Sequence, residues 1–187
     1  MLKRVFDFLL AVFCLVLLIV PILVLAFLVR LTSAGPVLYW SKRVGRHNKF
    51  FNMPKFRSML IGTPVVATHL LSEPKMHITP IGDFLRKSSL DELPQLWCIF
   101  LGEMSFVGPR PALFNQYDLI ALRTSFGIDK LKPGLTGWAQ INGRDELPID
   151  KKVSLDFEYL QRQSFLFDIY ILVMTFLRVV RRENVSH

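Results

Sequence analysis

The sequence predicts an α+β protein that is mostly helical, with an N-terminal membrane helix interrupted by a proline, a small β-hairpin and amphipathic interfacial helices. Three observations predict this class: a long uncharged apolar segment near the N-terminus, two aromatic-rich runs around a polar turn, and helical periodicity towards the C-terminus. Of the 187 residues, 51% are hydrophobic, which is high for a soluble domain. The length suits one domain, and the composition favours association with a membrane.

The first element is the apolar segment at residues 8–29, FLLAVFCLVLLIVPILVLAFLV, which contains no charge. It is long enough to span a bilayer and too long for the apolar part of a signal peptide. Pro21 interrupts it, and Lys or Arg residues flank it on both sides: Lys3, Arg4, Arg30, Lys42, Arg43 and Arg46. A helix that breaks at Pro21 and returns to the same face places both basic flanks in the cytoplasm. Proline is tolerated in spanning helices, so these features alone leave both topologies open.

The second element is a β-hairpin within residues 34–56, where two apolar-aromatic runs surround the turn sequence Gly45-Arg46-His47-Asn48. This region is strongly basic, and no acid occurs between Asp7 and Glu73. The whole chain carries a formal charge of +8. Such an excess suits anionic partners, which are nucleic acid, lipid headgroups or phosphorylated substrates.

Two short helices are predicted next, one ending near Lys87 and one ending at Gly102. The apolar face of the second is expected to consist of Leu93, Leu96, Trp97 and Phe100. Between them, Ser89 and Glu92 have the S-x-x-E spacing of a capping box. Asp91 would also be favourable there, because acids suit a helix N-terminus. Taken locally, the acidic pair therefore fits a structural role.

The remaining elements are two loops and two helices. Gly- and Pro-rich sequences at residues 106–113 and 131–148 predict loops that present Arg110 and Arg144. Residues 152–163 have the pattern of an amphipathic helix. Residues 169–177 are apolar and precede several arginines, which suits an interfacial helix or a core helix with a basic tip.

Basic residues and an acidic pair together indicate a type of chemistry. Arginine forks bind phosphate oxygens in a bidentate manner, and four arginines lie at loops or helix ends: Arg57, Arg86, Arg110 and Arg144. Carboxylates would repel a phosphate unless one of them reacts with it or holds a bridging Mg²⁺. The pattern favours phosphoryl transfer. The sequence has no zinc-binding motif, and Cys14 and Cys98 are too few for a disulfide framework.

Four motifs resemble those of the monotopic phosphoglycosyl transferases, the bacterial sugar transferase family, in the same order and with similar spacing. They are KFRSM at 55–59, SSLDELPQLW at 88–97, GEMSFVGPRP at 102–111 and KPGLTGWAQINGR at 132–144. The size is similar to the minimal, catalytic-core members. The resemblance implies transfer of a sugar-1-phosphate from a UDP-sugar to polyprenyl (undecaprenyl) phosphate, with release of UMP. It also implies a covalent aspartyl phosphosugar intermediate and the first membrane step of glycan assembly.

The resemblance also implies residue roles. Asp91 matches the nucleophile, which also contacts Mg²⁺, and Glu92 matches its partner, for which a base or a helix cap are both open. The basic positions associated with substrate phosphates or the architecture of the site are Lys55, Arg57, Arg86, Arg110 and Arg144. Family members often have Ser-Pro at the break of the membrane helix, whereas Val20 precedes Pro21 here. Trp138 is expected to pack in the fold rather than to stack on uracil.

The implied organisation is a re-entrant membrane helix at residues 1–31, within the same unit as a catalytic domain at 32–187 on the cytoplasmic face of the bacterial inner membrane. Expected partners are a UDP-sugar, polyprenyl phosphate, the lipid bilayer and downstream glycosyltransferases, and not nucleic acid. The shared motifs leave UDP-N-acetylhexosamines, their deoxy-amino derivatives and UDP-hexoses as candidate donors. The alternatives are a basic membrane-surface binding or scaffold protein, a nucleic-acid binder, or an aspartyl-dependent lipid phosphatase.

Overall fold

The computed structural model of the chain describes residues 2–64, 74–143 and 147–181. The described part is mostly helical and contains two small sheets, as the sequence predicts for the class. The helices are α1 (Leu2–Leu17), α2 (Ile19–Thr32), α3 (Gly82–Lys87), α4 (Leu96–Leu101), α5 (Tyr117–Ser125), α6 (Trp138–Ile141), α7 (Ile149–Arg162) and α8 (Phe165–Arg181). The strands are β1 (Leu38–Val44), β2 (Phe50–Phe56), β3 (Ser105–Val107) and β4 (Gly134–Thr136).

The N-terminal apolar segment forms two helices, α1 and α2, that meet at an angle of 62°. The break lies at Leu18, three residues before the predicted position at Pro21. Proline lacks an N–H, and its ring crowds the carbonyl four residues earlier, here that of Leu17, so the bend forms one turn before the proline. Among the described residues, no single helix has the length and apolarity to cross a membrane, whereas the bent pair together meets both criteria.

Helices α1 and α2 each bury one side against the rest of the protein and expose apolar side chains on the other. Ala11 of α1 and Val29 of α2 are fully buried. Exposed apolar residues occur along both helices, from Leu2 to Leu31, and those on either side of the bend are Phe13, Val16, Leu17, Ile19, Val20, Leu23, Val24 and Phe27. The helix pair therefore exposes apolar surface on both sides of the bend.

The predicted β-hairpin is confirmed. Strands β1 and β2 pair antiparallel, with Val44 opposite Phe50 beside the turn and Leu38 opposite Phe56 at the open end. His47 and Asn48 adopt left-handed backbone conformations in the turn, with φ of 55° and 56°. Asparagine tolerates this region better than most residues, so the turn sequence suits a tight reversal.

The two Gly- and Pro-rich regions expected to be loops also contain short strands, since β3 and β4 pair in parallel. The backbones pass very close to one another here: a Cβ built on Gly108 would lie 2.4 Å from the carbonyl oxygen of Lys132. Three-residue strands give too few positions for a periodic pattern, so the sequence did not predict this pairing.

The segment that carries the acidic pair is a 3₁₀ turn at Leu90–Gln95, which we name the acidic turn. The expected capping box is wrong: Ser89 is left-handed, with φ of 57°, and its side chain makes no cap hydrogen bond. Helix α4 begins only at Leu96 and ends at a left-handed Gly102, as predicted. Its buried residues include Cys98 and Ile99, whereas Trp97, expected on the apolar face, is 48% exposed.

The amphipathic pattern of α7 is confirmed, because Val153, Leu155 and Tyr159 are buried. Helix α8 is longer than the apolar run that predicted it, and one of its faces packs in the core, as the core-helix alternative predicts. Phe167 and Ile171 pack in the core, while Leu166, Val173 and Phe176 are exposed on another face.

Candidate active site

Lys55 and the two acids of the acidic turn meet at the end of strand β2. Lys55 Nζ lies 2.7 Å from Glu92 Oε1 and 3.7 Å from Asp91 Oδ2. All three side chains are largely buried, and Asp91 is only 6% exposed. One ammonium group is therefore shared between two adjacent carboxylates, and it lies closer to Glu92.

Packing of the neighbouring leucines orients the acidic turn. Leu90 and Leu93 pack against a cluster that contains Leu25 and Val29 of α2. These leucines anchor the turn on one side, and Asp91 and Glu92 contact Lys55 of β2. The N-terminal helix pair thus forms part of the support beneath the acidic pair.

Arg110 comes from a different part of the chain and completes the group. Its Nη2 lies 3.2 Å from Glu92 Oε1, the same oxygen that Lys55 contacts. The Arg110 loop, residues 108–111, is held by strand-like hydrogen bonds, in which Gly108 N donates to Thr136 O and Gly134 N donates to Pro109 O, both at 2.9 Å. A Cβ at Gly108 or at Gly134 would collide with the facing backbone, so the close approach requires glycine at both positions.

The two carboxylates have opposite pKa shifts. Burial raises the pKa of Asp91, the charge of Glu92 raises it further, and Lys55, Arg110 and Arg86 oppose that change. Burial would also raise the pKa of Glu92, but the charges and hydrogen bonds of Lys55 and Arg110 lower it well below its usual range. Glu92 is thus firmly ionised, while Asp91 is a buried carboxyl that binds a proton more readily than usual.

Not every predicted basic residue joins this group. Arg86, in the last turn of α3, is buried and near enough to influence the pKa of Asp91. Arg57 instead binds the end of α2: Nη1 donates to Ala34 O at 2.6 Å, and Nη2 donates to Ser33 O at 2.8 Å. Arg144 lies outside the described residues.

Sequence reasoning did not identify a buried ion pair behind the Arg110 loop. Arg123 of α5 contacts Asp156 of α7 at 2.6 Å and also donates to the carbonyl oxygen of Arg110 at 2.8 Å. The signal available was positional: Arg123 lies four residues after the buried Leu119 and shares its face, and Asp156 lies three residues after the buried Val153. A charged residue on a buried helix face requires a partner.

Trp138 packs in the fold, as predicted. Its Nε1–H donates to Glu158 at 2.9 Å, and its ring lies against Phe167 with centroids 5.2 Å apart.

Residues able to hold a metal are few. Among the described residues there is no group of three or more His, Cys, Asp or Glu side chains arranged for a metal. Lys55 and Arg110 already occupy one oxygen of Glu92, which leaves Asp91 as the carboxylate with the freer oxygens. Mg²⁺ is commonly bound by one or two carboxylates together with substrate phosphates, and Asp91 fits a site of that kind.

Comparison with known proteins gives consistent results. A family model described as bacterial sugar transferase matches residues 1–182. The chain is 39% identical over 185 residues to a protein of Bacillus subtilis named uncharacterized sugar transferase EpsL, covering 99% of this chain and 90% of that protein.

Two longer relatives carry more specific names. An undecaprenyl-phosphate glucose phosphotransferase of Komagataeibacter xylinus is 40% identical over 194 residues, and the match covers 97% of this chain and 36% of that protein. A UDP-glucose:undecaprenyl-phosphate glucose-1-phosphate transferase of Escherichia coli is 40% identical over 184 residues, and the match covers 94% of this chain and 39% of that protein. The chain therefore spans well under half the length of these two relatives.

Proposed function

This chain belongs to the bacterial sugar transferase family, and from that membership we propose that it transfers a sugar-1-phosphate from a UDP-sugar to polyprenyl phosphate and releases UMP. The reaction proceeds through a covalent phosphosugar intermediate on Asp91. The observation that carries the proposal is the pair of unequal carboxylates, one ion-paired and one with a raised pKa, beside basic side chains suited to phosphate.

Asp91 acts as the nucleophile. Its carboxylate oxygen attacks the β-phosphorus of the UDP-sugar, the bond from that phosphorus to the bridging oxygen breaks, and the electron pair leaves with UMP. An oxygen of the polyprenyl phosphate then attacks the same phosphorus and displaces Asp91. The second transfer restores the carboxylate, and each step is easier than one direct transfer. A carboxylate with a raised pKa is also a better nucleophile once it is ionised.

Glu92 serves as the fixed anion of the site. Because its pKa is lowered by Lys55 and Arg110, it is a weak proton acceptor at neutral pH. Its role in the proposal is to hold Lys55 and Arg110 beside Asp91, where their donors meet the phosphate charges that develop during transfer. The Ser89 side chain makes no cap hydrogen bond, and the Ser89 N–H that a capping-box glutamate would accept is donated to Arg86 O at 3.1 Å, which removes the support for capping.

Asp91 would also hold Mg²⁺ together with the diphosphate of the donor. When bound, the ion neutralises phosphate charge during the transfer. Lys55 and Arg110 neutralise charge from the protein side, and the buried position of Asp91 limits access of competing water.

We place the catalytic domain on the cytoplasmic face of the membrane, with the bend between α1 and α2 inserted from that side. At the start of α1, Lys3 Nζ binds Asp168 at 2.6 Å, and Arg4 donates to the carbonyl oxygens of Ile99 and Phe100. At the end of α2, Arg57 binds Ser33 and Ala34. Both ends of the pair are therefore bonded to the same folded body.

A spanning topology would separate these two ends by the hydrocarbon layer, which is about 30 Å thick. Contacts of both ends with one domain favour a re-entrant segment, and the exposed apolar residues at the bend suit the bilayer interior. Single cysteines replacing the exposed Leu2 and Thr32, in a chain without Cys14 and Cys98, test this. We expect thiol reagents to label both sites in inverted vesicles and neither in intact cells, and labelling from opposite sides would refute the topology.

The activity is tested by incubating the full chain with a panel of UDP-sugars in the absence of acceptor. We expect near-stoichiometric UMP release from the preferred donor and a phosphosugar adduct on the peptide that contains residues 88–97. Addition of polyprenyl phosphate should then discharge the adduct as lipid-linked sugar. Release of UMP from no donor would refute the transferase, and discharge only to water would favour a hydrolase.

A further inference from the structure

A buried ion pair lies directly behind the loop that presents Arg110. Arg123 is 8% exposed and Asp156 is 1% exposed. Arg123 Nε and Nη2 both donate to Asp156 Oδ2, at 3.0 and 2.6 Å. The pair joins α5 to α7 across a separation of 33 residues.

Stability alone is a weak reason for such a pair. Removing two charges from water is costly, and well-packed apolar residues of similar volume often serve as well or better. The structure offers a second reason, because the guanidinium makes a third hydrogen bond to a group outside the pair. Arg123 Nη1 donates to the backbone carbonyl oxygen of Arg110 at 2.8 Å.

The planar guanidinium makes this third bond directional. Nε and Nη2 are both directed to Asp156 Oδ2, so one edge of the group is held and the directions of the two Nη1 N–H bonds are restricted. One of these N–H bonds is donated to the Arg110 carbonyl oxygen. Asp156 therefore orients Arg123, and Arg123 holds the backbone of Arg110.

The neighbouring residues of the loop are held separately. Gly108 N donates to Thr136 O at 2.9 Å, and Arg43 Nη1 donates to Pro111 O at 3.1 Å. The bond from Arg123 fixes the carbonyl oxygen of Arg110 itself, between these two attachments. The Arg110 side chain starts from this peptide and reaches Glu92.

We propose that Arg123, oriented by Asp156, is a positioning residue that sets the backbone of Arg110 so that its guanidinium reaches Glu92 and the phosphates of the donor. The inference rests on the proposed role of Arg110 in the transfer. It assigns the buried pair a contribution to activity that acts through Arg110 and not through contact with substrate.

The test is a double-mutant cycle between Arg123→Lys and Arg110→Ala in the full chain. Lysine keeps a positive charge beside Asp156 but has a single nitrogen, so it cannot bind the carboxylate twice and also reach the Arg110 carbonyl. We expect Arg123→Lys to lower kcat/KM for UMP release about tenfold, within the range for residues coupled in one network. In the Arg110→Ala background the same change should have almost no further effect.

Arg162→Lys provides the matched control. Arg162 also lies on α7 and also pairs with a carboxylate, that of Glu158, but this pair is exposed. Glu158 follows Asp156 by two residues, which places it about 200° around the helix, on the opposite face. This change should leave kcat/KM within twofold of the wild-type value. Asp156→Asn, which keeps the shape and removes the charge that orients Arg123, should reproduce the non-additive loss if Arg123→Lys does not fold.

Equal losses from Arg123→Lys in the wild-type and Arg110→Ala backgrounds would overturn the proposal and leave the pair a purely structural one. Calorimetry then gives the affinity for UDP of the four proteins of the cycle: the wild type, Arg123→Lys, Arg110→Ala and the double variant. These affinities test the positioning role separately from the transferase activity. If the effects of the two substitutions on UDP affinity are non-additive but the wild-type chain releases no UMP, the transferase is refuted and the positioning role is supported. Additive effects on UDP affinity in a chain that does release UMP would refute the positioning role alone.

Discussion

Replacing Lys55 by Met should move the acid limb of the pH–rate profile to higher pH. In the proposed mechanism Asp91 attacks in its ionised form, and its pKa is raised, so the rate of UMP release should rise with pH as Asp91 loses its proton. Lys55 lowers the pKa of Asp91, which means that the wild-type acid limb lies below the position that burial alone would give. Methionine fills a similar volume without the charge.

The size of this shift follows from the geometry. A pair of unit charges 3.7 Å apart, as Lys55 and Asp91 are, interacts with about 4–5 kcal/mol at an effective dielectric constant of about 20. At about 1.4 kcal/mol per pKa unit, that is about three units as an upper limit. Lys55 also lies closer to Glu92 and keeps some solvent exposure, so we expect a shift of about one to two units.

Glu92→Gln should move the same limb in the opposite direction, because the charge of Glu92 raises the pKa of Asp91. The assay is single-turnover release of UMP without acceptor, measured from pH 5 to pH 9 in a constant-ionic-strength buffer at about 0.1 M salt. The position of the limb is compared, not the amplitude, because both variants will also bind substrate less well. Shifts of the same sign in the two variants, or no shift in either, would refute the electrostatic account of the site.

Three further outcomes are expected. Asp91→Asn should fold normally and give neither UMP nor a peptide adduct, because an amide cannot replace the carboxylate nucleophile; an active variant, or an adduct on Glu92, would return Asp91 to a structural role. Arg110→Ala should lose about thirtyfold or more in turnover, since a charge-assisted hydrogen bond contributes about 2–3 kcal/mol, and lysine should rescue only part; near-wild-type turnover would make Arg110 structural. Arg57→Met should lower the midpoint of thermal unfolding, because it removes the hydrogen bonds that Arg57 donates to the carbonyl oxygens of Ser33 and Ala34 at the end of α2. An unchanged midpoint together with a lower affinity for the UDP-sugar would instead support phosphate binding by Arg57.

Features encoded within short stretches of chain were predictable. The apolar run and Pro21 predicted a broken N-terminal helix, and the paired runs around Gly45–Asn48 predicted the hairpin. The ordered motifs around Lys55, Asp91 and Arg110 predicted the family. Each of these signals depends on propensity, periodicity or spacing among near neighbours, which the sequence displays directly.

The choice of partner by each charged side chain depended on the tertiary structure. Glu92 has the right spacing for a capping box, yet it binds Lys55, 37 positions away, and Arg110, 18 positions away. Arg57 resembles a phosphate-binding arginine in its motif, yet in the fold it binds the end of α2. The role proposed for Arg123 depends on its contact with the Arg110 carbonyl oxygen, which the sequence does not reveal. A buried charge selects whichever compensating group the packing brings within about 3 Å, and that distance is set by the whole fold and not by the neighbouring sequence.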